Sequence, residues 1–137
     1  THSYSSAASD VYKRQSSCSC CKKWINHLRD NGLEVVDNIV EDVSAIKIQY
    51  QIPNNLRSCH SAQIGKYTIE GHVPIESIKK LLEEKPLISG LAVPGMPHGS
   101  PGMEIHSHES HSHDYESYEV VAFSESGKTK IFDKISP

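Results

Sequence analysis

The hydrophobic positions fall into short segments with different periods. Cys21, Trp24, Ile25 and Leu28 follow an i, i+3, i+4, i+7 spacing, which predicts an amphipathic helix over Cys20–Asn31, with Gly32 as its C-cap. Leu33–Asp37 is a short strand candidate. Val43, Ile46 and Tyr50 then predict a second helix, stopped before Pro53 because a residue preceding proline disfavours helical backbone. Tyr67 and Ile69 alternate with polar neighbours in a strand ending near Gly71. Pro74 suits the first turn of a third helix, whose apolar face is Ile75, Ile78 and Leu82 and which Pro86 closes. Val120–Phe123 and Lys128–Phe132 flank Ser124–Gly127 as a hairpin. A strand over Asp10–Lys13 would precede them all. Gly90–Gly102, with three Pro and four Gly, is expected to be a structured but irregular loop.

This order places a cysteine cluster at the opening of the first helix, then β, α and a late antiparallel hairpin. It predicts an α/β fold of the thioredoxin-like type, a small mixed sheet flanked by helices. The 137 residues suit one domain with a modest core. The hydrophobic content of 36% is low, and the polar excess sits in the first seventeen residues and in Ser100–Ser117. Fourteen basic and 17 acidic residues give a net charge of −3, with no basic stripe that would suit nucleic acid. No apolar run approaches a membrane span.

Residues 1–15 (THSYSSAASDVYKRQ) begin without Met and carry no apolar signal-peptide core. Ser5–Gln15 resembles translated sequencing-adaptor sequence. The expectation is a disordered or artefactual extension over 1–15, ahead of one domain over 16–137 whose own leader is missing. A flexible native tail is the alternative.

The chemistry is concentrated in cysteine. Cys18, Cys20 and Cys21 occupy four residues at a helix start, where backbone N–H groups and the helix dipole favour thiolate. Cys59 follows in Arg57-Ser58-Cys59-His60. Four thiolates suit a zinc site in number, but paired knuckles use two C-x-x-C units, and here the second half is one Cys beside a His. Cys18 and Cys21 form a C-x-x-C dithiol suited to disulfide exchange, which leaves Cys20 without a part. For Cu(I), crowded thiolates are an advantage, since sulfur bridges several cuprous ions. Burial as small hydrophobes is common for lone cysteines and unconvincing for three in four residues. The residues alone leave copper, zinc and disulfide chemistry open.

The motifs Cys18-Ser19-Cys20-Cys21-Lys22-Lys23-Trp24, Leu56-Arg57-Ser58-Cys59-His60-Ser61-Ala62, Ile69-Glu70-Gly71-His72-Val73-Pro74 and Gly90-Leu91-Ala92-Val93-Pro94-Gly95-Met96-Pro97, with Gly99-Ser100-Pro101-Gly102-Met103-Glu104, occur in that order. Together they resemble the bacterial CopG-type family of metal-binding, copper-resistance proteins, formerly a family of unknown function. The resemblance covers about Ser17 to Glu104. It implies a thioredoxin-like fold, a periplasmic or otherwise exported location, and copper bound by Cys18, Cys20, Cys21 and Cys59. In such a fold the loop before the third strand faces the start of the first helix, so Cys59 would close the site. The implied function is Cu(I) sequestration or transfer in copper resistance, with metal ions and other copper-resistance or efflux proteins as partners. The alternative is a thiol–disulfide or copper-redox enzyme using Cys18 and Cys21.

Softer ligands accompany these motifs. Met96 and Met103 offer thioethers, which suit Cu(I). His60 and His72 flank the Tyr67 strand, and His60, beside Cys59, is the better placed. Against these stand the ordinary roles of Met in packing and of a single His in a structural hydrogen bond. Ile105–Asp114 (IHSHESHSHD) holds His106, His108, His111 and His113, a His-rich loop expected to collect Cu(II), Zn(II) or Ni(II) and feed the thiolates. A solvated linker is the bland alternative.

Overall fold

The computed structural model describes residues 11–14, 19–95, 97, 100, 101 and 117–136, and of 11–14, 19 and 20 the backbone only. Among these residues seven strands form one mixed sheet: β1 Val11–Arg14, β2 Val36–Ile39, β3 Ser61–Ile64, β4 Tyr67–Glu70, β5 Gly90–Ala92, β6 Tyr118–Phe123 and β7 Thr129–Ile135. Among the described residues the helices are α1 Ser19–Asp30, α2 Val43–Gln49 and α3 Ile75–Glu84, with a 3₁₀ turn at Asn54–Leu56. The spatial order is β2-β1-β3-β4-β5-β6-β7. The β1/β2 and β4/β5 pairs are parallel, joined across α1 and α3, and the other four pairs are antiparallel. This is the mixed sheet with flanking helices that the sequence predicts.

Period-two alternation divides the core between the faces. Ala62 and Ile64 of β3, Tyr67 and Ile69 of β4, Leu91 of β5, and Val120 and Ala122 of β6 pack with Cys21, Trp24, Ile25 and Leu28 of α1 and Ile75, Ile78 and Leu81 of α3. Phe123 and Ala92 join Ile52 and Leu56 in a second, smaller cluster. Helix α2 lies against β1 and β3. Trp24, wholly buried, donates its indole N–H to the Val73 carbonyl, tying α1 to the entrance of α3. There the Ile75 amide donates to His27 Nε2, which serves a helix end whose N-cap, Pro74, makes no side-chain hydrogen bond.

Several expectations shift. The second strand begins three residues later than predicted, because Leu33 and Val35 are buried before pairing starts at Val36. Pro74 is the N-cap of α3 rather than part of its first turn, and Leu81 is fully buried. Two strands had no sequence signal. SAQI (β3) has little β-branched character and pairs because a two-residue turn returns it against β4. GLA (β5) opens the Gly90–Gly102 stretch expected to be irregular throughout. Strand β1, where the sequence allowed one, takes in part of the 1–15 stretch and sits between β2 and β3. No helix among the described residues is long and apolar enough to cross a membrane.

Gly90 permits the β4/β5 pairing. A Cβ there would stand 1.8 Å from the Thr68 carbonyl oxygen and 3.0 Å from the Phe123 ring. Gly90→Ala must therefore separate the two strands. We expect a loss of about 3 kcal/mol or more in urea unfolding, at the upper end for single substitutions.

Candidate metal centre

Four elements supply the candidate centre. Helix α1 buries Cys21 completely on the same face as Trp24. The segment running from the 3₁₀ turn into β3, bent at Cys59, brings Cys59, half-buried, and His60, wholly buried. The turn after β4 brings His72, wholly buried. Pro101 supplies a backbone carbonyl.

One ligand atom each from Cys21, Cys59 and His60 lies within 4.8 Å of the others. His60 Nδ1 stands 3.3 Å from Cys21 Sγ and 3.2 Å from Cys59 Sγ. His72 Nε2 stands 3.1 Å from Cys59 Sγ. The His60 ring tilts over Trp24 with centroids 4.5 Å apart and meets His72 edge-on at 4.9 Å.

Backbone carbonyls set both tautomers. His60 Nε2 lies 2.8 Å from the Gly71 carbonyl oxygen, which can only accept, so Nε2 carries the proton and Nδ1 turns its lone pair to the sulfurs. His72 Nδ1 donates likewise to the Pro101 carbonyl, which leaves Nε2 as the lone pair facing Cys59. Each imidazole is thus oriented by a carbonyl behind it, and in its neutral form each offers the other nitrogen as a ligand atom. Burial pushes His60 well below its ordinary value of 6.5, and the repulsion its protonated ring would meet from Lys47 and from a protonated His72 acts in the same direction. The hydrogen bond to Gly71 opposes them.

The donor set fits a soft or borderline cation. With metal–sulfur and metal–nitrogen bonds of about 2.3 and 2.0 Å, tetrahedral angles put S and N about 3.5 Å apart. The observed 3.1–3.3 Å needs only a few tenths of an ångström of expansion. Cys21 is held in a disulfide, whereas Cys59 is in none. Cys21 can ligate as a thiolate only after a two-electron reduction.

Of the sequence candidates, Cys21, Cys59 and His60 are brought together. Cys59 leads, through His60, into β3, a strand the sequence did not signal. Cys20 lies in α1, but its side chain is outside the description, as are Cys18, Met96, Met103, His106, His108, His111 and His113 altogether. Sequence reasoning ranked His72 below His60, yet His72 Nε2 makes the shortest nitrogen approach to Cys59. The signal was present in Gly71-His72-Val73-Pro74, a glycine–histidine pair at a strand end. Two participants behind the site, Glu70 and Lys47, went unread.

The His60 environment sets a pH dependence. The unfolded chain takes up the imidazole proton near pH 6.5, whereas the folded chain resists it until lower pH. This contribution to stability is complete above about pH 6.5 and is lost as pH falls toward the depressed folded value. Urea midpoints of reduced, metal-free protein should fall between pH 7.5 and 5, and His60→Gln should flatten that slope.

A family model described as "Protein of unknown function, DUF411" matches residues 56–103, the stretch that carries Cys59, His60 and His72. No curated protein matches the chain. Among solved structures, "Copper resistance protein copG- Form 1" is similar at 36% identity and a TM-score of 0.84, covering 99% of this chain and 100% of that one. "Copper resistance protein copG- Form 2" is similar at 39% identity and a TM-score of 0.82, covering 92% and 96%. With identity at that level sustained over nearly every residue of both chains, this protein belongs to the CopG-type copper-resistance family.

Proposed function

We propose that the protein binds copper as Cu(I) and sequesters or transfers it, with Cys18, Cys20, Cys21 and Cys59 as thiolate ligands. The observation that carries this reading is the aim of two imidazole lone pairs at Cys59, one of them also facing Cys21. Thiolates with imidazole suit copper, and bridging sulfur lets a few cysteines hold several cuprous ions. The family's copper-resistance relatives favour copper over zinc. His60 and His72 join the thiolates, and half-buried Cys59 marks the side from which an ion arrives. Met96 and Met103, in the segment that follows β5, add thioethers to the same ion.

The thioredoxin-like reading of the layers and an exported, periplasmic location belong to this proposal, and the disulfide at Cys21 is compatible with an oxidising compartment. His106, His108, His111 and His113 would capture divalent ions with lower affinity; copper taken up there as Cu(II) would reach the Cu(I) thiolates, or an efflux partner, only after a one-electron reduction by an external reductant. Ligating imidazole must be neutral, so acid below about pH 6 should release those ions.

A second reading rests on the Cys21 disulfide. A dithiol at a helix start can exchange disulfides or pass electrons to copper, and the two roles share the same sulfurs. Turnover of a reporter disulfide would separate that enzyme from a binding protein.

Anaerobic Cu(I) loading of reduced protein should give stoichiometric copper by elemental analysis, and far less when the disulfide is left intact. Replacing Cys18, Cys20, Cys21 and Cys59 together by Ser should abolish it, and copper retained at wild-type stoichiometry refutes the proposal. His60→Ala and His72→Ala should each weaken Cu(I) binding by about tenfold in competition with a chelator.

A further inference from the structure

We propose that the buried cluster of Lys47, Glu70 and Ser61 is a positioning device for Cys59. Its Glu70 carboxylate holds the backbone immediately before that cysteine. The inference rests on the copper reading of the centre.

Glu70 and Ser61 are fully buried, and Lys47 nearly so, on the α2 face of the sheet. The register pairs Ser61 with Glu70 across β3 and β4, and α2 lowers Lys47 onto them. Glu70 Oε1 accepts from the Ser61 hydroxyl, and Oε2 accepts from Lys47 Nζ. Oε2 also accepts, at 2.7 Å, from the backbone N–H of Ser58. That third bond runs to the residue beside Cys59.

The same loop is held from two further directions. Ser58 Oγ donates to the Gly95 carbonyl at 2.6 Å. Gly71, at φ +78°, lies so close that a Cβ would meet the Ser58 Cβ at 2.8 Å. Ser58 therefore has little room to move, and Cys59 Sγ is presented to His60 and His72 at 3.2 and 3.1 Å.

Stability alone does not account for this cluster. A buried ion pair recovers its desolvation cost poorly, and an apolar pair of similar volume is often neutral or stabilising in its place. An apolar pair cannot accept the Ser58 N–H. Metal–ligand bond lengths hold to within about 0.2 Å, so a Ser58 backbone released to wander over a wider range is costly at Cys59 even where the fold survives. Groups behind a metal ligand typically govern affinity by about 10- to 100-fold.

The test uses the full chain with Lys47→Met and Glu70→Leu together, which removes the charges in concert and takes away the acceptor. A second pair, Lys47→Met with Glu70→Gln, restores an amide oxygen for Ser58. In metal-free reduced protein, amide hydrogen exchange should show Ser58 protected in the wild type, exposed in the Leu pair and protected again in the Gln pair. Amides of α1 and β6 should be unchanged. Cu(I) affinity should fall roughly 10- to 100-fold in the Leu pair and return to within about threefold in the Gln pair. In a Cys59→Ser background the Leu pair should cause no further loss.

Wild-type affinity in the Leu pair, an equal loss with and without Cys59, or exchange that rises uniformly across the fold would each overturn the proposal. If the Leu pair does not fold, an unprotected Ser58 amide in the wild type overturns it on its own. Protection at Ser58 that follows the acceptor, in a protein that binds no Cu(I), upholds the positioning and defeats the copper reading instead.

Discussion

His60 and Gly71 hold each other at both ends. The Gly71 amide donates to the His60 carbonyl, and the His60 ring donates from Nε2 back to the Gly71 carbonyl. This reciprocal pair extends the β3/β4 ladder by one step past its last regular pairing, Ser61 with Glu70. Because Nε2 must carry the proton there, Nδ1 has no choice but to face the two sulfurs. Burial keeps the ring neutral, so the same contact that closes a hairpin prepares a ligand.

The rest of the centre is arranged around that step. Trp24 backs the His60 ring, and its indole N–H fastens α1 to Val73, two residues beyond Gly71. The cysteine-bearing helix and the histidine-bearing turn are therefore joined by one side chain. Gly71 takes a positive φ where the strand ends, and the chain after it delivers His72 to the far side of Cys59. On the opposite face of the sheet Glu70 reaches Ser58, so consecutive residues 70, 71 and 72 each touch the segment 58–60. The short bend after β4 thus controls the surroundings of Cys59 more directly than the helix that carries Cys20 and Cys21.

Much of the architecture was legible from local periodicity. The core faces of α1 and α3, the terminal hairpin and the strand ending at Gly71 follow from spacings of 3.6 and 2 residues, which report burial directly. Strands β3 and β5 were not legible, since SAQI and GLA have little intrinsic strand preference and exist because neighbours pair with them. The helix α2 pattern was read through Val43, Ile46 and Tyr50. It missed Lys47, because a lysine on an apolar face is intelligible only once its carboxylate partner, twenty-three residues away, is in place.

By itself, then, the sequence determined which chemistry was available: crowded thiols at a helix start, a Cys-His pair, and the ordered motifs of a copper-resistance family. It could do so because residue type and short spacing are properties of neighbouring residues along the chain. The tertiary structure alone decided that His72 stands as near Cys59 as His60 does, which nitrogen of each ring is presented, and that Glu70 and Lys47 stand behind the site. Those facts depend on strand register, on one left-handed glycine, and on the burial that makes each unpaired polar group costly. None of these is written in any short stretch of residues.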